Sequence, residues 1–501
     1  MPDLDLLIVN PGGQDRVYQS LGAGLTAVEP PLWARLIAGY VMDRGFSARI
    51  LDTDAENIGP DAAAQIAVEH SPRLTAVVVY GHQPSASTQQ MAAAGAVCRA
   101  IKKLDPAKKI IMLGGHVAAL PERTLKEEAV DFVCNGEGPA TVHGLLQALS
   151  RGRDDSLDEI PGLVWTRRGS FQSNPPAPLI QKLDADLHGN VWHLLPMDKY
   201  RSHNWQCFGD LGARQPYASI YTSLGCPYQC IFCCINAPFG ANRYRMRSPD
   251  AVAAEVDLLY RRYGVKTIKI IDEMFVLNDR HVTGICERLA QSPYAGELNI
   301  WAYARVDTVK PERLRLLRAA GIRWLALGIE SGSAHVRDGA EKSLDEQDIV
   351  RIVREIQAAD IHVIGNFIFG LPDDDLASMR QTLDLAKELN CEFANFYSAM
   401  AYPGSRLYER ALEKRWALPA AWTGFSQHSY DCTPLPTEKV SAADVLRFRD
   451  EAFHEYFSSP SYLEAVDRKF GAETRRHIES MTQIRLRRKL LETATAAAME
   501  T

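Results

Sequence analysis

The sequence has no apolar run near the roughly 18–20 residues of a membrane span, which excludes a helical membrane protein. It has no excess of positive charge. Lys and Arg number 56 against 62 Asp and Glu, a net charge of −6, so no global field would gather nucleic acid. The opening MPDLDLLIVNPGG lacks the basic start and small-residue cleavage site of a secretion signal and reads instead as a buried strand. Short repeats and low-complexity tracts are missing too. Ten cysteines without a secretory signal argue for a reducing cytoplasm, where clustered cysteines serve metal binding or catalysis rather than disulfides. What is present is the composition of a soluble globular protein, 46% hydrophobic and 24% charged, and a length of 501 residues suggests two to four domains.

Residues 1–150 alternate apolar strands with helical segments. Candidate strands are LDLLIVN (4–10), ARILDT (48–53), TAVVVYG (75–81), KIIMLGG (109–115) and VDFVCNG (130–136). Continuous apolar strands separated by helices predict a doubly wound parallel sheet, with ligands at the carboxyl ends of its strands. Residues 151–215 are rich in Pro, Gly, Ser and charge and read as a linker with one hairpin. Strand–helix alternation resumes over 216–415 with ASIYTS (218–223), TIKIID (267–272), NIWAYAR (299–305), WLALGIE (324–330), VIGNFIFG (363–370) and FANFYSAM (393–400). Six such units suit a partial parallel barrel, since eight would run nearer 250 residues. Residues 416–501 are helical and charged, and are expected to cap the barrel mouth.

At the end of the first barrel strand stands GCPYQCIFCCINAPFG (225–240), with Cys226, Cys230 and Cys233 spaced C-x3-C-x2-C. Three thiolates on one short loop can hold three irons of a 4Fe-4S cubane and leave the fourth iron open. Structural zinc would want a fourth ligand, and Cys234, adjacent to Cys233, is poorly placed to be one. A C-x3-C-x-aromatic-C loop opening a six-unit barrel resembles the radical S-adenosylmethionine (SAM) superfamily. The resemblance implies that the open iron holds SAM and that an electron cleaves it to a 5′-deoxyadenosyl radical. It also implies SAM contacts from Phe232 beside the adenine, from Asp272 and Glu273 in IIDEMF to the amino group, from Arg305 in YARVD to the carboxylate, and from Glu330 in GIESGS to the ribose or amine. A helix cap is the structural alternative for Asp272 and Glu273, and a rim ion pair for Arg305 and Glu330.

A doubly wound domain before such a barrel resembles the cobalamin-binding class B branch of the superfamily. The segments are VVYGHQPSAS (78–87), LGGHVAALPE (113–122) and NGEGPAT (135–141). The resemblance implies a nucleotide tail passing Ser85, Ala86 and Ser87, lined beyond by Gly114, Gly115 and His116. Gly136, Glu137 and Gly138 would open a helix toward a polar group. No D-x-H-x-x-G occurs, so no evident histidine reaches the lower face of cobalt; His82 and His116 read as loop histidines. The resemblance thus implies an α/β protein in three parts: a Rossmann-like cobalamin domain of flavodoxin-like order, a partial (β/α)6 radical SAM barrel and a helical C-terminal region.

The implied activity is a cobalamin-dependent methyl transfer to an unactivated carbon or similar centre. The alternatives are a non-methylating cyclisation, ring contraction or oxidation on the same cofactors, and a non-catalytic cobalamin or iron–sulfur binding protein. Trp422, Gln427, His428 and Tyr430 offer aromatic and hydrogen-bonding groups for a small polar substrate such as a sugar, a nucleotide-linked compound or a phosphonate. The expected partners are that substrate and an electron donor such as flavodoxin or ferredoxin, with no nucleic acid and no membrane, for a cytoplasmic monomer.

Overall fold

Runs of branched apolar residues, buried on both faces, make the strands. The computed structural model describes residues 4–13, 17–21, 24–81, 83, 85–152 and 154–493. The first sheet has β1 (Leu6–Asn10), β2 (Ala48–Asp52), β3 (Leu74–Val79), β4 (Ile110–Gly114) and β5 (Phe132–Cys134), parallel in the order 2-1-3-4-5. Every residue of β1, β3 and β4 is buried, as a sheet covered by helices on both faces requires. The hairpin expected after residue 150 forms as β6 (Leu163–Arg167) and β7 (Ser170–Ser173). It joins the sheet antiparallel to β5, so this part of the stretch read as a linker continues the N-terminal sheet.

The second sheet begins with β8 (Tyr217–Ile220). A short antiparallel pair, β9 (Ser223–Leu224) and β10 (Arg245–Met246), brackets the cysteine loop. Then come β11 (Thr267–Ile270), β12 (Asn299–Arg305), β13 (Ile322–Glu330), β14 (His362–Phe369) and β15 (Phe393–Ser398), all parallel and paired in chain order. The edges β8 and β15 do not pair, so the barrel is open on one side. Helix Ala442–Phe457 lies along β15, where Arg449 Nε donates to Phe396 O (2.8 Å) and Tyr456 Oη to Cys391 O (2.7 Å). No helix among the described residues is long and apolar enough to cross a membrane.

Buried charge joins the two sheets. Arg35, on helix Leu32–Met42 of the N-terminal domain, donates to Gly189 O (2.6 Å), Ser219 O (3.1 Å) and Glu255 Oε1 (3.3 Å), with its guanidinium over the Trp192 ring. Glu255, on helix Pro249–Tyr263 of the barrel, also accepts from Arg247 Nη1 at 2.5 Å and Trp192 Nε1 at 3.2 Å. A second pair, Glu137 with Arg245 (2.5 Å), ties the turn after β5 to β10. The carboxyl ends of both sets of strands thereby meet at shared cavities.

One prediction follows from this seam. Glu255→Ala leaves Arg35 and Arg247 buried without their counter-ion, which should cost about 3–5 kcal/mol of stability. Arg261→Ala, which breaks an exposed pair with Asp257 on the same helix, should leave unfolding unchanged. Urea denaturation of both variants checks it; equal midpoints would show that the seam does not depend on the triad.

Candidate functional site

The cysteine loop is shaped by its flanks. Gly225 adopts φ +84°, and a Cβ there would lie 2.1 Å from Arg243 O, so only glycine lets the two arms close. Asn236 latches the loop, donating Nδ2 to Cys226 O at 3.0 Å. Cys226, Cys230 and Cys233 then sit together beside Arg305, whose Nη1 reaches Cys230 Sγ at 3.7 Å. Burial pushes the Cys226 thiol up to about 11 and Cys233 well above its ordinary value, while Lys342 and Arg305 counter that rise at Cys230. Buried thiols of this kind become thiolates when a metal centre supplies the positive charge. Among the described residues no three Cys, His, Asp or Glu side chains converge on a single-ion site. Cys234 is buried and turns to the cavity wall.

Above the loop lies a cavity of about 350 Å³. Its barrel wall carries Phe232, Glu273, Arg305 and Glu330, four of the five expected SAM contacts. Asp272 does not join them. Its carboxylate accepts from Thr222 N (2.6 Å), Thr222 Oγ1 (2.5 Å) and Ser223 Oγ (2.6 Å), which pins the end of β8 to β11. Burial, with the Asp272 charge adding, pushes the neighbouring Glu273 carboxyl up to about 8. Arg305 and Glu330 line the cavity and each also forms an ion pair. Arg305 spends its Nε and Nη2 fork on Asp307 (2.9 and 3.0 Å), which leaves Nη1 toward Cys230. Glu330, held at φ +68° beside a β13 irregularity, pairs with Lys342. A Cβ at Gly328 would meet Lys342 Nζ at 2.3 Å, so that glycine makes room for the pair. Lys342 lies outside every barrel strand and had no sequence signal.

The opposite wall comes from the N-terminal domain: Gly81, Gln83, Ser85, Gln89 and Gly115, with Trp33 stacked on Tyr80 at 4.3 Å. Of the residues read from sequence as cobalamin contacts, Ser85 and Gly115 line this cavity and Ala86 lines an adjoining chamber. The others line neither cavity. Ser87 is buried, donating to Val79 O and accepting from His116 N at 2.8 Å. A Cβ at Gly114 would collide with Val79 O, so that residue serves strand packing. His116, neutral because burial pushes its pKa down to about 3, meets the edge of Trp422. Gly136 O and Glu137 O accept from Tyr80 Oη (3.2 and 2.7 Å), the Glu137 carboxylate is committed to Arg245, and Gly138 packs against Leu113. His82 lies outside the described residues.

The adjoining chamber, about 240 Å³, is lined by residues of β11 through β15 and shares Gln83, Gln89, Tyr303, Asn366, Tyr397 and Gln427 with the first. Of the four residues expected to meet substrate, Gln427 and His428 line it. Trp422 instead packs on His116 and Arg123, and Tyr430 is exposed and bonded to Glu492. Trp205 both packs against Trp301 and Trp324 and lines the chamber.

A three-thiol loop at a parallel barrel's mouth, faced across one cavity by the strand ends of a doubly wound domain, defines a radical SAM enzyme with a cobalamin-type partner domain. The comparisons agree. A radical SAM superfamily model matches residues 220–386, and a B12 binding domain model matches residues 19–146. An uncharacterized methyltransferase of Pyrococcus horikoshii is 30% identical over 427 residues, 85% of this chain and 87% of that protein. An anaerobic magnesium-protoporphyrin IX monomethyl ester cyclase of Synechocystis is 28% identical over 362 residues, 70% of this chain and 66% of its own. In fold, the chain is similar to the radical SAM methyltransferase TsrM of Kitasatospora setae solved with tryptophan and a SAM analogue (TM-score 0.67, 18% identity, 95% of this chain and 98% of that one). The chain belongs to the cobalamin-binding branch of the radical SAM superfamily.

The loop geometry predicts the outcome of four substitutions. Cys226→Ala, Cys230→Ala and Cys233→Ala should each abolish a brown, oxygen-sensitive protein carrying about four irons, and Cys234→Ala should keep it. Anaerobic iron analysis decides. Loss of iron in the Cys234 variant, with retention in one of the other three, would reassign the ligands.

Proposed function

We propose that the protein is a cobalamin-dependent radical SAM methyltransferase acting on a carbon or similar centre of a small molecule. The observation that carries this reading is the single cavity lined at once by the cysteine loop, the barrel rim and the strand ends of the B12-type domain. A group held on one wall can therefore meet a group held on the other without crossing solvent. When bound, the cluster supplies the electron that cleaves SAM, and cobalamin supplies a methyl carrier.

The chain's own residues then bind, orient and exclude water. Cys226, Cys230 and Cys233 would hold the cluster. Phe232 would lie against the SAM adenine and Glu273 would accept from its ammonium. Nη1 of Arg305, with Lys342, would meet the carboxylate, and Glu330 the ribose hydroxyls. Gly81, Ser85 and Gly115 leave space on the facing wall for the cobalamin tail. We place the protein in the cytoplasm as a monomer reduced by flavodoxin or ferredoxin; all ten cysteines are unpaired, in keeping with a reducing compartment.

The relatives include both a methyltransferase and a cyclase, so a non-methylating reaction on the same cofactors is the second reading. Product counting separates them. Methyl transfer should yield S-adenosylhomocysteine and 5′-deoxyadenosine together, and a cyclase should yield little of the former. Full-length protein reconstituted anaerobically should retain cobalamin through gel filtration, and Gly115→Leu should lose it by filling the tail's space. Cobalamin that never binds the wild type would remove the methyltransferase reading.

The pH dependence of SAM affinity follows from Glu273, whose carboxyl is neutral below about 8. To hold an ammonium it must lose its proton, so SAM should bind more tightly as pH rises from 6 to 8, up to roughly tenfold per unit, and level off above. Glu273→Gln should bind SAM weakly with no such slope. A wild-type affinity flat over that range would take Glu273 out of the amine site.

A further inference from the structure

We propose that the chamber of about 240 Å³ lined by β11 through β15 is the substrate site, and that it takes a compact, uncharged ring compound, aromatic or heteroaromatic, with hydrogen-bonding substituents. This deepens the methyltransferase reading and rests on it. The chamber is smaller than the SAM cavity, about 240 against 350 Å³, which favours a compact ligand. Its position suits a substrate. Tyr303, Asn366 and Tyr397 belong to its wall and to that of the SAM cavity, so a ligand seated here abuts the group held there.

The walls select a ring. Trp205, Trp301, Phe393, Phe396 and Phe453 surround the chamber, and Tyr18 enters from the N-terminal domain to lie 5.6 Å from the His428 ring. Flat apolar faces on several sides favour a flat ligand over a sugar. The ions on the wall argue against a charged one. Lys269 faces Glu29 at 3.0 Å with both side chains 3% exposed, and Arg449 is held by Asp450 at 2.8 Å. A phosphate, phosphonate or carboxylate would have to break a buried pair or lie uncompensated beside one. This departs from the sugar, nucleotide-linked or phosphonate substrate expected from sequence.

Hydrogen-bonding capacity remains for a neutral ligand. Among the described residues His428 Nδ1 is buried with no hydrogen-bond partner, and the ring is neutral because burial, with Arg449 and Arg488 nearby, pushes its pKa well below the ordinary value. The Asn395 amide donates Nδ2 to Asn366 Oδ1 at 3.0 Å, which leaves its own Oδ1 as an acceptor at the chamber. An N–H or O–H on the ring edge would satisfy such groups, and an unsubstituted hydrocarbon would not.

Equilibrium dialysis of the reconstituted, SAM-loaded full-length protein against indole, phenyl phosphate and glucose is the test. Indole should bind at least tenfold more tightly than either of the others. Tyr18→Ala and His428→Leu, both away from the sheets, should weaken indole at least fivefold and leave SAM affinity unchanged. Phenyl phosphate binding as well as indole would overturn the charge assignment. Glucose binding as well as indole, or indole binding unmoved by both variants, would overturn the ring site. The wild-type ranking decides even where a variant fails to fold. Indole binding with no S-adenosylhomocysteine formed from any ring compound would count against methyl transfer and leave the site standing; S-adenosylhomocysteine formation without ring binding would do the reverse.

Discussion

The site depends on a buried acid between two buried bases. Glu255 neutralises Arg35 from the N-terminal domain and Arg247 from the barrel, and all three are almost wholly removed from water. Such a triad is not a strong source of stability, because desolvation offsets most of its Coulombic attraction. Its value is in specificity. Two smooth apolar faces could slide past one another at little cost, whereas a displaced Arg35 would lose Gly189 O, Ser219 O and Glu255 together. The seam therefore has one register, and that register sets the B12-type strand ends opposite the cysteine loop.

From that fixed register the electrostatics of the cavity follow. Arg305 and Lys342 lie close enough to Cys230 to favour its thiolate against the cost of burial. Each cation has a carboxylate behind it, Asp307 for Arg305 and Glu330 for Lys342, which anchors the head group rather than merely cancelling it. Glu273, protonated at neutral pH in the empty cavity, supplies the complementary response, since an arriving ammonium restores its charge.

Much of this was legible in the sequence. The parallel strands announced themselves as apolar runs between helices, and β12 (Asn299–Arg305) matches the stretch read from sequence residue for residue. C-x3-C-x2-C spacing is a local property, so the cysteine loop needed no tertiary knowledge. Residues whose role depends on direction were less legible. Asp272 and Glu273 are adjacent on β11's end and point opposite ways, one into a hydroxyl cage and one into the cavity, and sequence cannot say which is which. In the glycine-rich turns, small residues read as space for a ligand, while Gly114 and Gly138 are small because backbone and Leu113 crowd them. Lys342 was invisible because the loop that carries it is placed by the fold, not by any motif.

The C-terminal region shows how a cap can be read correctly as a whole and wrongly in its parts. Gln427 hydrogen-bonds through both ends of its amide to the backbone of Ser398, accepting from its N–H and donating to its C=O, each at 2.8 Å. It thereby acts as one more rung on the exposed edge of β15 and brings His428 to the chamber. Trp422, five residues earlier, reaches across to the other domain and packs on His116. A segment anchored at one end to the barrel edge and at the other to the N-terminal domain closes the unpaired side of the barrel without a seventh strand. The aromatic rings and internally paired ions of the chamber beneath that cap leave a charged ligand little to replace its lost solvation.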